Sequence, residues 1–492
     1  METKQVIRRC FGLARGVGFS GLLLVLAACG GAQVQVGTGP QTQNEAASGS
    51  GKAMAQAAAE SFNKALAQLA EHDRSKTWDA SSCAAVAKAF DDAAARQKAE
   101  TGREFPEATY NAGLAFQRCK MHKEAAEKFQ AALAADAKFH RARTQLALYR
   151  YRDKGRAEID GVIAELQRAI ADAQFQNVEA LVNLAMLQME RNSQTSDQDG
   201  ANDYDRAKKN LQRALAIDDG YQPAFNQLAL YYLQVAKQRA VAKKARKGTK
   251  ANQADVQQLE LAALVCSQAI RKDPSYAPIH NTAGLIQVEL QNINGAVQEF
   301  QTAIRLDPSF FEAQMNFAAI NLSFRGFKAA EEAYRAALKI RPDDYDARLG
   351  LALAIRGQID DANFDQYVAA SQAELDQAKK LAPERPEAYY NEAILTHEFK
   401  AKGAGDDSVP TLEAAAKMFE TFVQKAGADA KYADAVRRAK ERVEDINVMV
   451  QFIKEGQSEA AIAAALQEKE IEEAQAEAAQ EAQQKEEAPA EQ

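Results

Sequence analysis

The residue types that carry covalent or metal chemistry are few in this chain and poorly placed to act together. Five cysteines (Cys10, Cys29, Cys83, Cys119, Cys266) and five histidines (His72, His122, His140, His280, His397) are scattered over 492 residues. Cys119-Lys120-Met121-His122 has a C-x-x-H spacing, with His140 further on. Zinc takes about four ligands at fixed geometry, and no second cysteine or acidic cluster completes this set. The chain has no nucleophile elbow, phosphate-binding loop, H-E-x-x-H or dinucleotide-binding glycine set. No catalytic residue, metal or cofactor is therefore expected, and no small-molecule substrate. The many Asp and Glu residues read as solvated helix faces rather than paired acids. A net charge of −7 argues against nucleic acid as a partner.

What does recur is a register of 34 residues. Ala262, Ala296 and Ala330 keep it, as do Cys266, Phe300 and Tyr334, and Ala269, Ala303 and Ala337. Ile270, Ile304 and Leu338, then Pro274, Pro308 and Pro342, complete five positions in three copies. Ala330, Tyr334, Ala337 and Leu338 fall at i, i+4, i+7 and i+8, one apolar stripe on a helix. Small alanines let a neighbouring helix approach, the aromatic fills the space between pairs, and proline ends the helix. A second helix precedes each stripe, for example Phe311 to Phe324, ended at Arg325-Gly326. The pattern resembles the tetratricopeptide-repeat (TPR) family strongly. That resemblance implies antiparallel helix pairs stacked into an all-α solenoid, a right-handed superhelix. An Ala-, Gln-, Glu- and Lys-rich composition with only 11 Pro favours helix throughout.

Aligned by repeat, position 6 of the first helix holds Asn111, Gln145, Asn183, Gln227, Thr282, Asn316, Gly350 and Asn391. An amide both donates and accepts hydrogen bonds, so it can hold the backbone of an extended peptide without reading its sequence. In some superhelical TPR proteins a ladder of asparagines here lines the inner groove, and this sequence looks similar. The other reading is that these amides belong to the packing consensus of the repeat. Tyr110 and Tyr390, one position earlier, are expected to be exposed and to serve the same groove.

The first residues read as a targeting segment. Lys4, Arg8, Arg9 and Arg15 form a basic region, Val17 to Leu26 an apolar run too short to span a bilayer, and Leu26-Ala27-Ala28-Cys29 ends it. The last four residues resemble the bacterial lipobox. The resemblance implies cleavage of residues 1–28, diacylation of the Cys29 sulfur and usually acylation of its new amine. Several acyl chains anchor stably where one does not. Gly30 stands where inner-membrane retention in enterobacterial lipoproteins uses Asp, which points to the outer membrane, facing the periplasm. Residues 29–52, rich in Gly, Ser, Thr and Gln, read as a flexible tether.

Export makes the remaining cysteines candidates for oxidation. Cys83 and Cys119 lie equidistant from the Thr101-Gly102 turn. They are side by side if the two helices form a hairpin, either as a disulfide or as two unrelated thiols. Cys266 holds an aromatic position and reads as core packing.

Residues 53–105 read as a degenerate helical pair. Residues 106–426 read as eight repeats with insertions near 192–202, 235–258, 357–364 and 402–409. Residues 427–456 read as a capping helix, and 457–492 as an acidic low-complexity tail, a frayed helix or disordered. The 235–258 insertion carries Lys237, Arg239, Lys243, Lys244, Arg246, Lys247 and Lys250. This basic run either meets an acidic partner, anionic lipid or lipopolysaccharide, or the chain's own acidic tail, or is a solvated helix extension. The layout of lipobox, tether, long TPR array and acidic tail resembles TPR lipoproteins of the myxobacterial adventurous gliding motility apparatus. It implies a non-catalytic scaffold whose partners are periplasmic and outer-membrane proteins of an envelope-spanning machine. The alternative is a TPR assembly lipoprotein, pilotin-like or serving outer-membrane protein insertion.

Overall fold

A computed structural model describes residues 54–75, 77–246, 255–404 and 408–486. The targeting segment, Cys29 and the tether to residue 52 lie outside the described residues. Helix dominates, and the one β-bridge among the described residues, Asp197 with Gly200, closes a loop. Among the described residues no helix is long and apolar enough to cross a membrane.

The chain divides into two compact units, one up to Pro308 and one from Ser309. In the first, α1 (Gln56–Ser75) pairs with α2 (Ala80–Thr101), and α3 (Pro106–Arg118) with α4 (His122–Ala135). The pairs α5 (His140–Lys154) with α6 (Ile159–Asp172), and α7 (Val178–Arg191) with α8 (Asp203–Ile217), follow. α9 (Gln222–Arg246) with α10 (Val256–Lys272), and α11 (Ala277–Glu289) with α12 (Ile293–Leu306), complete the unit. The second unit holds α13 (Phe311–Ser323) with α14 (Phe327–Ile340), and α15 (Tyr345–Arg356) with α16 (Phe364–Leu381). α17 (Glu387–Leu395), extended by a π-helical turn over Thr396–Lys400, packs against α18 (Ser408–Ala426). α19 (Ala433–Glu486) closes it.

Local sequence explains these boundaries. Asp79 accepts the Ser82 amide at 2.7 Å while Ser82 Oγ accepts the Asp79 amide at 2.8 Å, a reciprocal cap on α2. The second helices α10, α12 and α14 end on Asp273, Asp307 and Arg341, each followed by the periodic proline. Three first helices, α3, α11 and α13, end on left-handed residues: Lys120, Gln291 and Arg325 have φ of 58°, 62° and 63°. There the chain closes with bonds from Met121 to Phe116 (3.1 Å), Asn292 to Gln287 (2.9 Å) and Gly326 to Asn321 (2.8 Å). At the Arg325-Gly326 break the left-handed residue is thus the arginine.

Packing follows the repeat. A Cβ on Gly284 would come within 2.5 Å of the Phe300 ring, so the first helix lies against the aromatic of its own partner. The loop after α7 is anchored by Asp203, which is fully buried. Its carboxylate accepts from Arg191 Nη2 at 2.7 Å, Arg206 Nη2 at 2.8 Å and the Ser193 amide at 2.7 Å. Burial alone would raise the Asp203 pKa, but these donors outweigh it and hold it below the usual carboxylate range.

Two elements differ from the linear reading. The insertion after Val235 begins as helix, because α9 runs on to Arg246. The acidic tail continues α19 as one helix through Glu486. Ala435, Ala439, Ile446 and Val450 of α19 share a core with Phe419 and Phe422 of α18, while every residue from Lys454 to Glu472 is exposed.

Candidate functional site

The amides of position 6 lie on the first helices of the pairs, and the structure places most of them inside. Asn111, Gln145, Asn183, Gln227 and Asn391 are buried; Asn316 is half-buried. Gln117 on α3 donates to Gln145 on α5 at 3.1 Å, and Gln145 donates to Glu179 on α7 at 2.7 Å. Thr282 on α11 donates to Asn226 on α9 at 2.6 Å. In the second unit Asn391 accepts from Arg356 of α15 at 3.2 Å and donates to the Glu387 carbonyl at 2.8 Å. Asn183 donates to the Glu179 carbonyl at 2.9 Å.

Of the two readings of these amides, burial and the bonds they make favour packing within the repeat. Gln145 and Asn391 tie their first helices to neighbouring ones, and Asn183 and Asn391 bond their own helix backbone, as a polar group enclosed between helices requires. Gly350 interrupts the series for a steric reason: a Cβ there would run into the Tyr334 ring.

Tyr110 and Tyr390, expected to be exposed, are buried. Tyr110 packs on Phe129 and Phe139 with centroids 5.4 and 5.6 Å apart, and Tyr390 on Phe422 at 4.8 Å. Burial, and then the Glu179 carboxylate, push the Tyr221 phenol well above its ordinary value.

Cys83 on α2 and Cys119 at the end of α3 are joined in a disulfide, with Cα atoms 6.3 Å apart. That takes Cys119 out of any C-x-x-H set. His122 lies 3.4 Å from the Tyr149 hydroxyl and, through burial and Arg152, titrates below its ordinary value. Cys266 is buried, and burial followed by Glu299 pushes its thiol up to about 12. Burial in the core thus disfavours the thiolate near neutral pH, in keeping with a packing role.

Of the basic run, Lys237 pairs with Glu289 at 3.3 Å and Arg239 with Asp255 at 3.1 Å. The backbone of Lys243, Lys244 and Arg246 is helical, while Lys247 and Lys250 lie outside the described residues.

Two features escaped the linear reading. Arg356, partly buried, donates to the Asn391 carbonyl as well as its amide, both at 3.2 Å. Burial brings its guanidinium down to about 10, against the pull of Glu398 and Tyr390. An arginine one residue before a glycine turn gave no sign of this. The second is an exposed apolar series on α19 that includes Val448, Phe452, Ile462 and Leu466. Its i, i+4 pairs stand in the sequence, but only packing shows which side of the helix faces water.

No protein-family model and no curated relative matches the chain. Solved structures do. The TPR protein TTC0263 of Thermus thermophilus is 23% identical, with a TM-score of 0.36 over 44% of this chain and 99% of that one. YrrB, described as a TPR protein with an unusual peptide-binding site, is 17% identical, with a TM-score of 0.30 over 46% and 97%. A monomeric mutant of IFIT1 with Gppp-AAAA is 15% identical, with a TM-score of 0.47 over 73% of this chain and 77% of that one. The fold assignment rests on this chain's own geometry. With its 34-residue register, antiparallel helix pairs and aromatic-on-glycine packing, the chain has a TPR-like helical solenoid fold.

Proposed function

We propose that this protein is a non-catalytic scaffold for protein–protein interaction. It is anchored to the outer membrane through lipid on Cys29, faces the periplasm and serves an envelope-spanning gliding motility machine. The observation that carries the scaffold reading is the run of stacked helix pairs, an architecture that presents extended surface to several partners at once. The Leu26-Ala27-Ala28-Cys29 sequence and Gly30 support the anchor and its membrane. The order of lipobox, tether, repeats and acidic tail supports the motility assignment.

The test combines fractionation with crosslinking in cells. The full chain is expected to sediment with outer membranes and to crosslink to envelope proteins, and Cys29→Ser to leave the membrane fraction. A Cys29→Ser protein that still fractionates with the outer membrane would remove the lipid anchor from this account. Deletion is expected to stop surface movement while envelope channels stay assembled. Loss of secretin multimers instead would make it an assembly lipoprotein.

A further inference from the structure

α19 carries two faces. Ala439, Ile446 and Val450 are buried against α18, with Ile453 packed beside them. On the other side Val448 is 69% exposed, Phe452 76%, Ile462 60% and Leu466 59%. Isolated apolar residues on a surface need no explanation, but a row of large ones on a helix does. Val448, Phe452, Glu455, Glu459, Ile462 and Leu466 follow one another at alternating steps of four and three, the spacing of a single helical seam. At 1.5 Å per residue the seam is about 27 Å long.

Its order is an apolar pair, an acidic pair and an apolar pair. Lys454, which adjoins the acids, is drawn back to Glu413 of α18 at 2.8 Å, and Gln451 donates to Glu455 at 2.9 Å. Further along, Glu468, Glu470 and Glu472 keep the projecting segment acidic.

This order decides against a second copy of the chain as occupant. A parallel pair in register sets Glu455 on Glu455 and Glu459 on Glu459. An antiparallel pair that matches Val448 with Leu466 and Phe452 with Ile462 sets Glu455 on Glu459. Both put carboxylates face to face in the seam, where like charges oppose association. A partner with two cations between its apolar pairs meets no such conflict and gains the complementary charge.

We propose that this face of α19 is a docking surface for an amphipathic helix of another protein, with apolar–basic–basic–apolar order along its seam. The proposal deepens the scaffold reading and rests on it. Partner and α19 bury the two apolar pairs together, and Glu455 and Glu459 select the partner by charge.

The probe is a fluorescent helical peptide with leucine pairs flanking two lysines, titrated against the full chain and followed by anisotropy. A second peptide carries glutamates in place of the lysines. The lysine peptide is expected to bind and the glutamate peptide not. A Phe452→Ser, Leu466→Ser double variant is expected to lose about tenfold or more in affinity. Glu455→Lys with Glu459→Lys is expected to exchange the preference between peptides. Circular dichroism confirms that these exposed substitutions leave the fold intact.

Failure of the lysine peptide to bind overturns the proposal, as does binding that neither double variant alters. So does a wild-type dimer in light scattering that Phe452→Ser with Leu466→Ser abolishes, which assigns the face to a second copy. Crosslinked partners that survive both double variants sink this surface and leave the scaffold standing. A wild-type chain with no crosslinked partner sinks the scaffold itself.

Discussion

Gly284 shows how tightly single residues are held. With the Phe300 ring 2.5 Å from where a Cβ would stand, Gly284→Ala forces the ring or the helix to move. We expect a loss of about 1–3 kcal/mol in urea unfolding, the usual cost of overpacking. Asn391 separates two roles that share one residue type. Its amide takes Arg356 and gives to the Glu387 carbonyl, so Asn391→Ala is expected to cost about 1–2 kcal/mol of stability. An amide that served only a bound peptide would cost partner affinity and leave the unfolding midpoint unchanged. The position of these amides was legible from the repeat register. Their role was not, because the spacing of 34 says which helix carries an amide but not how closely the next helix covers it.

Among the elements, the loop after α7 depends on a buried carboxylate. Asp203 is held below the ordinary range by Arg191, Arg206 and the Ser193 amide, against burial. The sign follows from linkage. Its stabilisation is fully present above the unfolded carboxylate value of about 3.9 and is lost as pH falls through the lower folded value. Asp203→Asn is therefore expected to destabilise the protein near neutral pH and to flatten that part of its acid-unfolding curve. The disulfide is the second element-scale device. Cys83 and Cys119 are 36 residues apart, so reduction or the Cys83→Ala, Cys119→Ala variant is expected to cost about 2–4 kcal/mol in denaturant unfolding. The symmetry of the two cysteines about the Thr101-Gly102 turn made the pairing readable as one of two outcomes. The packing of α2 on α3 decided it.

At the scale of the molecule, stability in a repeat stack is a sum of pairs and their neighbours. Gly284→Ala strains the α11–α12 pair, and the α9–α10 pair packs beside it. Hydrogen exchange is expected to quicken in α9 to α12 and to keep its wild-type rate in α1 to α4. Uniform loss of protection across all these helices would show the unit to fold as one cooperative block instead.

The sequence by itself determined the helical class, the pairing of helices, the ends of the helices in the regular repeats and the cysteines able to meet. These follow from local periodicity, from proline, and from short separations that a hairpin must close. Tertiary structure decided what local pattern does not contain. It enclosed most of the amides between helices, and turned Tyr110 and Tyr390 inward. It also left one side of α19 without cover. The reason is the same in each case. A helix has several faces, and only the elements packed around it decide which of them meets water.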